Sequence, residues 1–262
     1  MKRIIRSTAA GILAALLVVG GVFAAPDLSA RSAILIDGSS GETLFEKDAD
    51  RRSLIASTTK IMTGLLVAEQ CDPDAPVTVP AEAAGVEGSS LYLKEGETLT
   101  VRDLLYGLML RSGNDAAVAL AIHLDGSVAQ FVRRMNARAY EIGLTDTHYA
   151  NPHGLDSEEN YSTARDLAKL SAEAMKNPAF RQVVSTETYS FGDRRAVNHN
   201  KLLRRYDGAV GVKTGFTKAA GRILVSAAER DGVRLIAVTI HAPDDWNDHE
   251  KLLDYGFARK KT

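Results

Sequence analysis

Several things are scarce or missing in this 262-residue chain, and each shortage excludes something. A single cysteine, Cys71, rules out an intrachain disulfide framework and a cysteine-rich zinc module. Cys71 follows a helix-like run, lies outside every motif below and is read as structural. Aromatic residues, at 6%, are too sparse for a base-stacking surface. The 32 basic and 33 acidic side chains leave a formal charge of -1, so the cationic excess of a general nucleic-acid binder is missing. No long apolar run follows residue 26, which excludes a polytopic membrane domain. No repeat or low-complexity stretch follows residue 30. What is present is length for one large domain or two small ones, with ordinary globular composition.

The N-terminus carries an address. Lys2, Arg3 and Arg6 precede an uncharged stretch, 7–26, whose centre is apolar or glycine. Val22 and Ala24 are small and two apart. This is the pattern of a signal peptide over 1–24, cleaved after Ala24. An uncleaved anchor is the alternative, because the run is near the lower limit of about 17–25 residues for a span. Either way the body, 25–262, is expected outside the cytoplasm. Arg3 and Arg6 are not adjacent, so the twin-arginine export signal is absent.

The body reads as strands at both ends and helices between. Residues 32–37 read as a strand and 43–46 resume an extended pattern after the turn 38–41, and 222–228 and 233–240 form a second hairpin through Asp231-Gly232. Residues 209–213 read as a short strand. Helical periodicity marks 57–69, 101–110, 114–123, 127–142, 163–175 and 246–257, with Asn177-Pro178 ending the fifth. The predicted fold is α+β. An antiparallel sheet is built from both chain ends, about 30–50 and 205–262, with an inserted helical lobe at about 57–200.

Three motifs follow one another. Ser57-Thr58-Thr59-Lys60 opens a helix. Ser112-Gly113-Asn114 lies in a break between helices. Lys213-Thr214-Gly215 ends a strand. Alone, each has an ordinary explanation: an N-cap, a helix junction, a strand end. Each also has a chemical one. Residues i and i+3 share a helix face, so the Lys60 ammonium group can reach the Ser57 hydroxyl. A serine becomes a nucleophile when a base takes its proton. Lysine is such a base only when neutral, which requires burial or a second cation, and Lys213 is the candidate. Ser112 can relay a proton, and the Asn114 amide can hold a substrate carbonyl or the lysine. A strand edge can pair with an extended peptide. Lys213 and Thr214 can bind a carboxylate, Gly215 permits close approach, and the Ser57 and Phe216 amides can face an oxyanion.

Together, in this order, the motifs resemble those of serine β-lactamases and penicillin-binding proteins. The chain resembles most strongly the low-molecular-mass penicillin-binding proteins, the serine D-alanyl-D-alanine carboxypeptidases. The matching stretches are 54–64 (LIASTTKIMTG), 108–117 (LMLRSGNDAA), 151–155 (NPHGL), 200–203 (NKLL) and 211–227 (GVKTGFTKAAGRILVSA). The resemblance implies a β-lactamase/transpeptidase-like fold. It implies Ser57 as nucleophile, Lys60 as base, Ser112, Asn114 and Lys213 as further catalytic groups, and Thr214, Gly215, Phe216 and Thr217 as substrate-binding residues. The implied partners are peptidoglycan stem peptides ending in D-Ala-D-Ala and β-lactams that acylate Ser57. No metal or organic cofactor is implied. Many relatives carry a C-terminal β-rich domain and an amphipathic anchor. The sequence ends at Thr262, so neither is expected, and membrane association stays open.

Rival readings use the same nucleophile. A class A β-lactamase would need a Glu-x-x-Leu-Asn loop, and Asp156, Glu158 and Glu159 do not fit it. An endopeptidase acting on D-Ala–diamino-acid crosslinks would carry the same motifs. A non-catalytic wall-binding or β-lactam-sensing module would usually have lost one. His148 and His153, near Asp146 and Asp156, match no helical metal-ligand spacing and are read as polar loop residues. His199 and His241 are isolated, and Asp244-Asp245 favours the following helix N-terminus.

Overall fold

The computed structural model of the protein describes residues 24–260. The segment read as a signal peptide lies outside them but for Ala24. In chain order, β1 (Ser32–Asp37) and β2 (Thr43–Lys47) form a hairpin, and β3 (Ser53–Leu54) leads into a 3-10 turn, Ala56–Thr59, that continues as helix α1 (Lys60–Gln70). Next come β4 (Pro76–Thr78), β5 (Thr98–Thr100), α2 (Val101–Leu110), α3 (Asn114–Asp125) and α4 (Val128–Ile142). β6 (Tyr161–Ser162), α5 (Ala164–Ala174), α6 (Pro178–Ser185), β7 (Thr188–Phe191), β8 (Arg194–Val197) and α7 (Leu202–Arg205) complete the inserted lobe. The chain returns through β9 (Ala209–Thr217), β10 (Gly221–Arg230), β11 (Val233–Ile240) and α8 (Asp245–Lys260).

The main sheet has five strands in the order β2-β1-β11-β10-β9, antiparallel throughout. Its N-terminal strand β1 lies beside its last strand β11, so the two chain ends close one sheet, as expected. Side chains alternate between two cores. Ile34, Ile36, Ile223, Val225, Ile236 and Val238 face the helical lobe. Leu35, Leu224, Leu235 and Ala237 pack against α8 through Leu252, Leu253 and Phe257. A sheet covered on both faces explains why β1 is buried at every position. His249 of α8 is wholly buried between the Ser226 and Thr239 hydroxyls, at 2.6 and 2.9 Å, and burial pushes it down to about 3, so it is a neutral core residue.

Helix α1 runs through the middle of the lobe, and every residue from Lys60 to Val67 is buried. An all-round apolar helix is a core helix, and a lysine at its first position is out of place there unless it has a task. No single described helix is long and apolar enough to cross a membrane.

Three expectations need correction. Residue 57 lies within the 3-10 turn Ala56–Thr59, and the α-helix starts at Lys60. Asn177-Pro178 does not merely end a helix. The Asn177 side chain accepts from Ala179 N and Phe180 N at 2.9 and 3.1 Å, and Pro178, needing no N–H donor, opens α6. The strand expected over 209–213 runs on to Thr217, because 214–217 pair with the first residues of β10. The third motif therefore lies within an edge strand.

Candidate active site

Ser57 sits half-buried in the 3-10 turn where the lobe meets the sheet edge. Its neighbours fix the turn. Thr58 Oγ1 donates to the Ile55 carbonyl at 2.5 Å, and Asn160 Nδ2 donates to Thr59 Oγ1 at 3.0 Å. The loop 151–160 is laid across the same turn, with Thr63 Oγ1 donating to the Pro152 carbonyl at 2.6 Å. Gly154 has φ +92, and a Cβ there would lie 1.8 Å from the Ala56 carbonyl oxygen. Gly154→Ala is therefore expected to push the nucleophile's turn away. The expected result is a loss of about 10²-fold in kcat/KM, the scale of a misplacement near 1 Å, with far-UV circular dichroism unchanged.

Lys60 is wholly buried and surrounded by acceptors. Its Nζ lies 3.2 Å from Ser57 Oγ, 2.7 Å from Asn114 Oδ1 and 2.5 Å from the His153 carbonyl oxygen. Burial, and next the charge of Lys213, hold it well below the ordinary lysine value, against an opposing pull from Asp115. A neutral amine has two N–H donors and one lone pair. The two carbonyl oxygens can only accept, so they take both donors. Of the three partners, only the Ser57 hydroxyl can donate to the lone pair. The surroundings thus dictate which way the proton moves.

The second motif holds this lysine. Asn114 begins α3, its Nδ2 donates to the Glu87 carbonyl at 2.6 Å, and its backbone N–H donates to Ser89 O at 2.7 Å. The amide is thus committed to Lys60, one of the two roles expected for it. Ser112 adopts a positive φ of 63, and its buried Oγ has no hydrogen-bond partner among the described residues. That conformation costs about 1–3 kcal/mol in a non-glycine residue. A strained backbone carrying an unspent hydroxyl at the cleft fits a proton relay. Asp115, absent from the expected set, is buried and accepts from Ser90 Oγ, Leu91 N, Leu93 N and Ala116 N at 2.6–3.1 Å. It fastens the loop 89–93 to the base of the cleft.

The third motif lies on β9, the sheet edge beside the 3-10 turn. Lys213 is 1% exposed, and its Nζ donates to the Thr214 carbonyl at 2.9 Å. Burial pulls it down to about 7. Its folded value is below its unfolded one, so the unfolded chain binds more protons from about pH 7 up to the ordinary lysine range, and stability rises with pH across that window. Lys213→Met should remove this penalty, raise the melting temperature by about 5 °C at pH 7 and flatten its pH dependence, read by calorimetry. At Gly215 a Cβ would stand 3.2 Å from the Ile55 carbonyl oxygen, so the glycine lets strand and turn approach. Phe216 is 64% exposed. Thr217 departs from the expected set. Its hydroxyl donates to Asp156 at 2.9 Å and accepts from Ala220 N at 3.0 Å, and it does not line the cleft.

The cleft over Ser57 has a volume of about 510 Å³ and is bordered by Ser112, Thr214, Gly215 and Phe216. Sequence reading missed its far wall. Arg222, opposite Phe216 in the β9–β10 register, pairs with Asp245 at 2.9 Å, and Trp246 lies beside it. Asp245 also accepts from Trp246 N at 3.0 Å, so its helix-start role and its arginine pair coexist. His199, read as isolated, lines the cleft, and burial with the charges of Lys213 and Arg111 pushes it down to about 4. His148 Nδ1 bonds to the Glu159 carbonyl, and His153 Nδ1 accepts from Leu155 N, so both are local loop residues.

Comparison with known proteins gives the family and the fold. The sequence profile of the family described as D-alanyl-D-alanine carboxypeptidase matches residues 21–244. The chain is 38% identical over 246 residues to D-alanyl-D-alanine carboxypeptidase DacF of Bacillus subtilis, covering 89% of this chain but only 63% of that protein. It is 39% identical over 258 residues to the D-alanyl-D-alanine carboxypeptidase of Streptomyces sp. K15, covering 89% of each. The crystal structure of the Streptomyces K15 DD-transpeptidase superposes with a TM-score of 0.87 at 38% identity, over 90% of this chain and 100% of that one.

Proposed function

The chain belongs to the D-alanyl-D-alanine carboxypeptidase family of serine peptidases and penicillin-binding proteins, and from that premise we propose that it removes the terminal D-alanine from peptidoglycan stem pentapeptides through a Ser57 acyl-enzyme. The observation that carries the reading is the set of partners around Lys60, which leaves a neutral amine's lone pair to the Ser57 hydroxyl.

The steps follow from the residues. Neutral Lys60 takes the Ser57 proton as Oγ attacks the carbonyl between the two D-alanines. The Ser57 and Phe216 amides receive the oxyanion. Ser112 passes the proton to the departing amine, and D-Ala leaves. Water, deprotonated by the same lysine, cleaves the ester. Thr214 grips the substrate's C-terminal carboxylate, and buried Lys213 adds a positive field beneath it. The stem peptide pairs with the open edge of β9. A β-lactam presents an amide beside a carboxylate in the same arrangement and acylates Ser57. Such substrates lie on the wall side of the cytoplasmic membrane, and the proposed activity requires the protein to work there.

The test is a covalent one. Benzylpenicillin incubated with the protein should add one intact drug mass, and peptide mapping should place it on the fragment containing Ser57. No adduct, or an adduct elsewhere, would overturn the nucleophile assignment.

A further inference from the structure

The cleft of about 510 Å³, which takes the acyl part of the peptide as well as its leaving group, has a charged stretch of wall. Lys201, Arg204, Arg222, Asp245 and Trp246 line it.

The charge there is one-sided. Arg222 is spoken for by Asp245, whose side chain is 4% exposed. Arg204 has only an exposed contact with Glu187 at 3.5 Å. Among the described residues Lys201 has no carboxylate partner; its ammonium lies 5.9 Å from the centre of the Trp246 ring, and the Arg222 guanidinium lies at the same distance. His199 adds no charge at neutral pH. Three cations and one carboxylate therefore face the recess, and of the two outer cations Lys201 has no carboxylate partner among the described residues and Arg204 holds only a long, exposed one that a bound anion can displace.

We infer that this recess is a leaving-group subsite for a C-terminal D-residue carrying a second anion, an acidic side chain held by Lys201 and Arg204. The inference rests on the carboxypeptidase reading and specifies which leaving groups the site favours. The chemistry is unchanged: the acyl C–N bond breaks, the departing amine takes its proton from the enzyme, and water completes the hydrolysis. Thr214, over the positive field of buried Lys213, holds the α-carboxylate, and the two outer cations hold the side-chain anion.

Diacetyl-Lys-D-Ala-D-X peptides test it, with X as D-Ala, D-Glu or the isosteric neutral D-Gln. The wild-type protein should prefer D-Glu over D-Gln by about three- to tenfold in kcat/KM, the range for one or two partly exposed charge pairs. The ratio should fall towards one in 0.5 M salt. In the Lys201→Ala/Arg204→Ala double variant it should also fall to about one, and Lys201→Glu should invert it. Both positions are exposed, so the fold and the cleavage of the D-Ala-D-Ala peptide should persist. An unchanged ratio in the double variant, or no D-Glu preference in the wild type while D-Ala-D-Ala is still cut, would overturn the subsite. Failure to cut any of the three peptides would overturn the carboxypeptidase reading, and the subsite with it.

Discussion

Ser57→Ala is expected to abolish penicillin labelling and to lower kcat for D-Ala release by roughly 10⁴–10⁶-fold, the scale of losing a nucleophile. The fold should be indifferent. Ser57 is half-buried, and among the described residues the only hydrogen-bond partner of its Oγ is Lys60. Lys60 keeps Asn114 and the His153 carbonyl when the hydroxyl is gone. The melting temperature should therefore move by no more than a degree or two. Retained labelling in a folded Ser57→Ala protein would mean that another side chain is acylated.

The second large effect is expected at Lys60. Lys60→Met keeps an unbranched side chain one atom shorter and removes the base, which should slow acylation of Ser57 by at least about 10²–10⁴-fold. Two buried carbonyl oxygens lose their donor, at about 1–3 kcal/mol each, while a buried amine is no longer desolvated. These terms oppose each other, so the variant should still fold. The pH profile separates a lost base from a distorted site. In the wild type the acylation rate should rise with pH as Lys60 loses its proton, since the neutral form is the base. It should fall again above about 7 as Lys213 loses the charge that attracts the substrate carboxylate. Lys60→Met should lose the acid limb and keep the alkaline one. An unchanged bell would assign the base to another group.

Much of this was legible in the sequence where local pattern decides structure. The hairpin-flanked β-branched run over 233–240 and the helical reading of 101–110 match β11 and α2 residue for residue, because each segment packs in the way its own side chains dictate. The i, i+3 spacing of Ser57 and Lys60 and the arrival of Lys213 from the far end of the chain were legible too. Groups acting through the backbone or through distant pairing were not. The His153 carbonyl, which fixes the Lys60 lone pair, has no side-chain signature. Asp115 did leave one, a carboxylate followed by the apolar run Ala116 to Ile122, and a buried acid of that kind must have several donors. Arg222 and Asp245 are 23 residues apart and meet only because β10 and the start of α8 share one end of the sheet. The β7–β8 hairpin is half-exposed, with Arg194 and Arg195 within a strand, so no alternation marks it. Arg194 is placed by Glu97 and the Leu91 carbonyl, partners about a hundred residues away.

The most direct test of the central claim is release of free D-Ala from diacetyl-Lys-D-Ala-D-Ala by the purified protein, followed with time by a D-amino-acid-specific assay. The account predicts stoichiometric, multiple-turnover release that stops when benzylpenicillin has occupied Ser57. A protein that binds the drug on Ser57 yet releases no D-Ala from this peptide would contradict it.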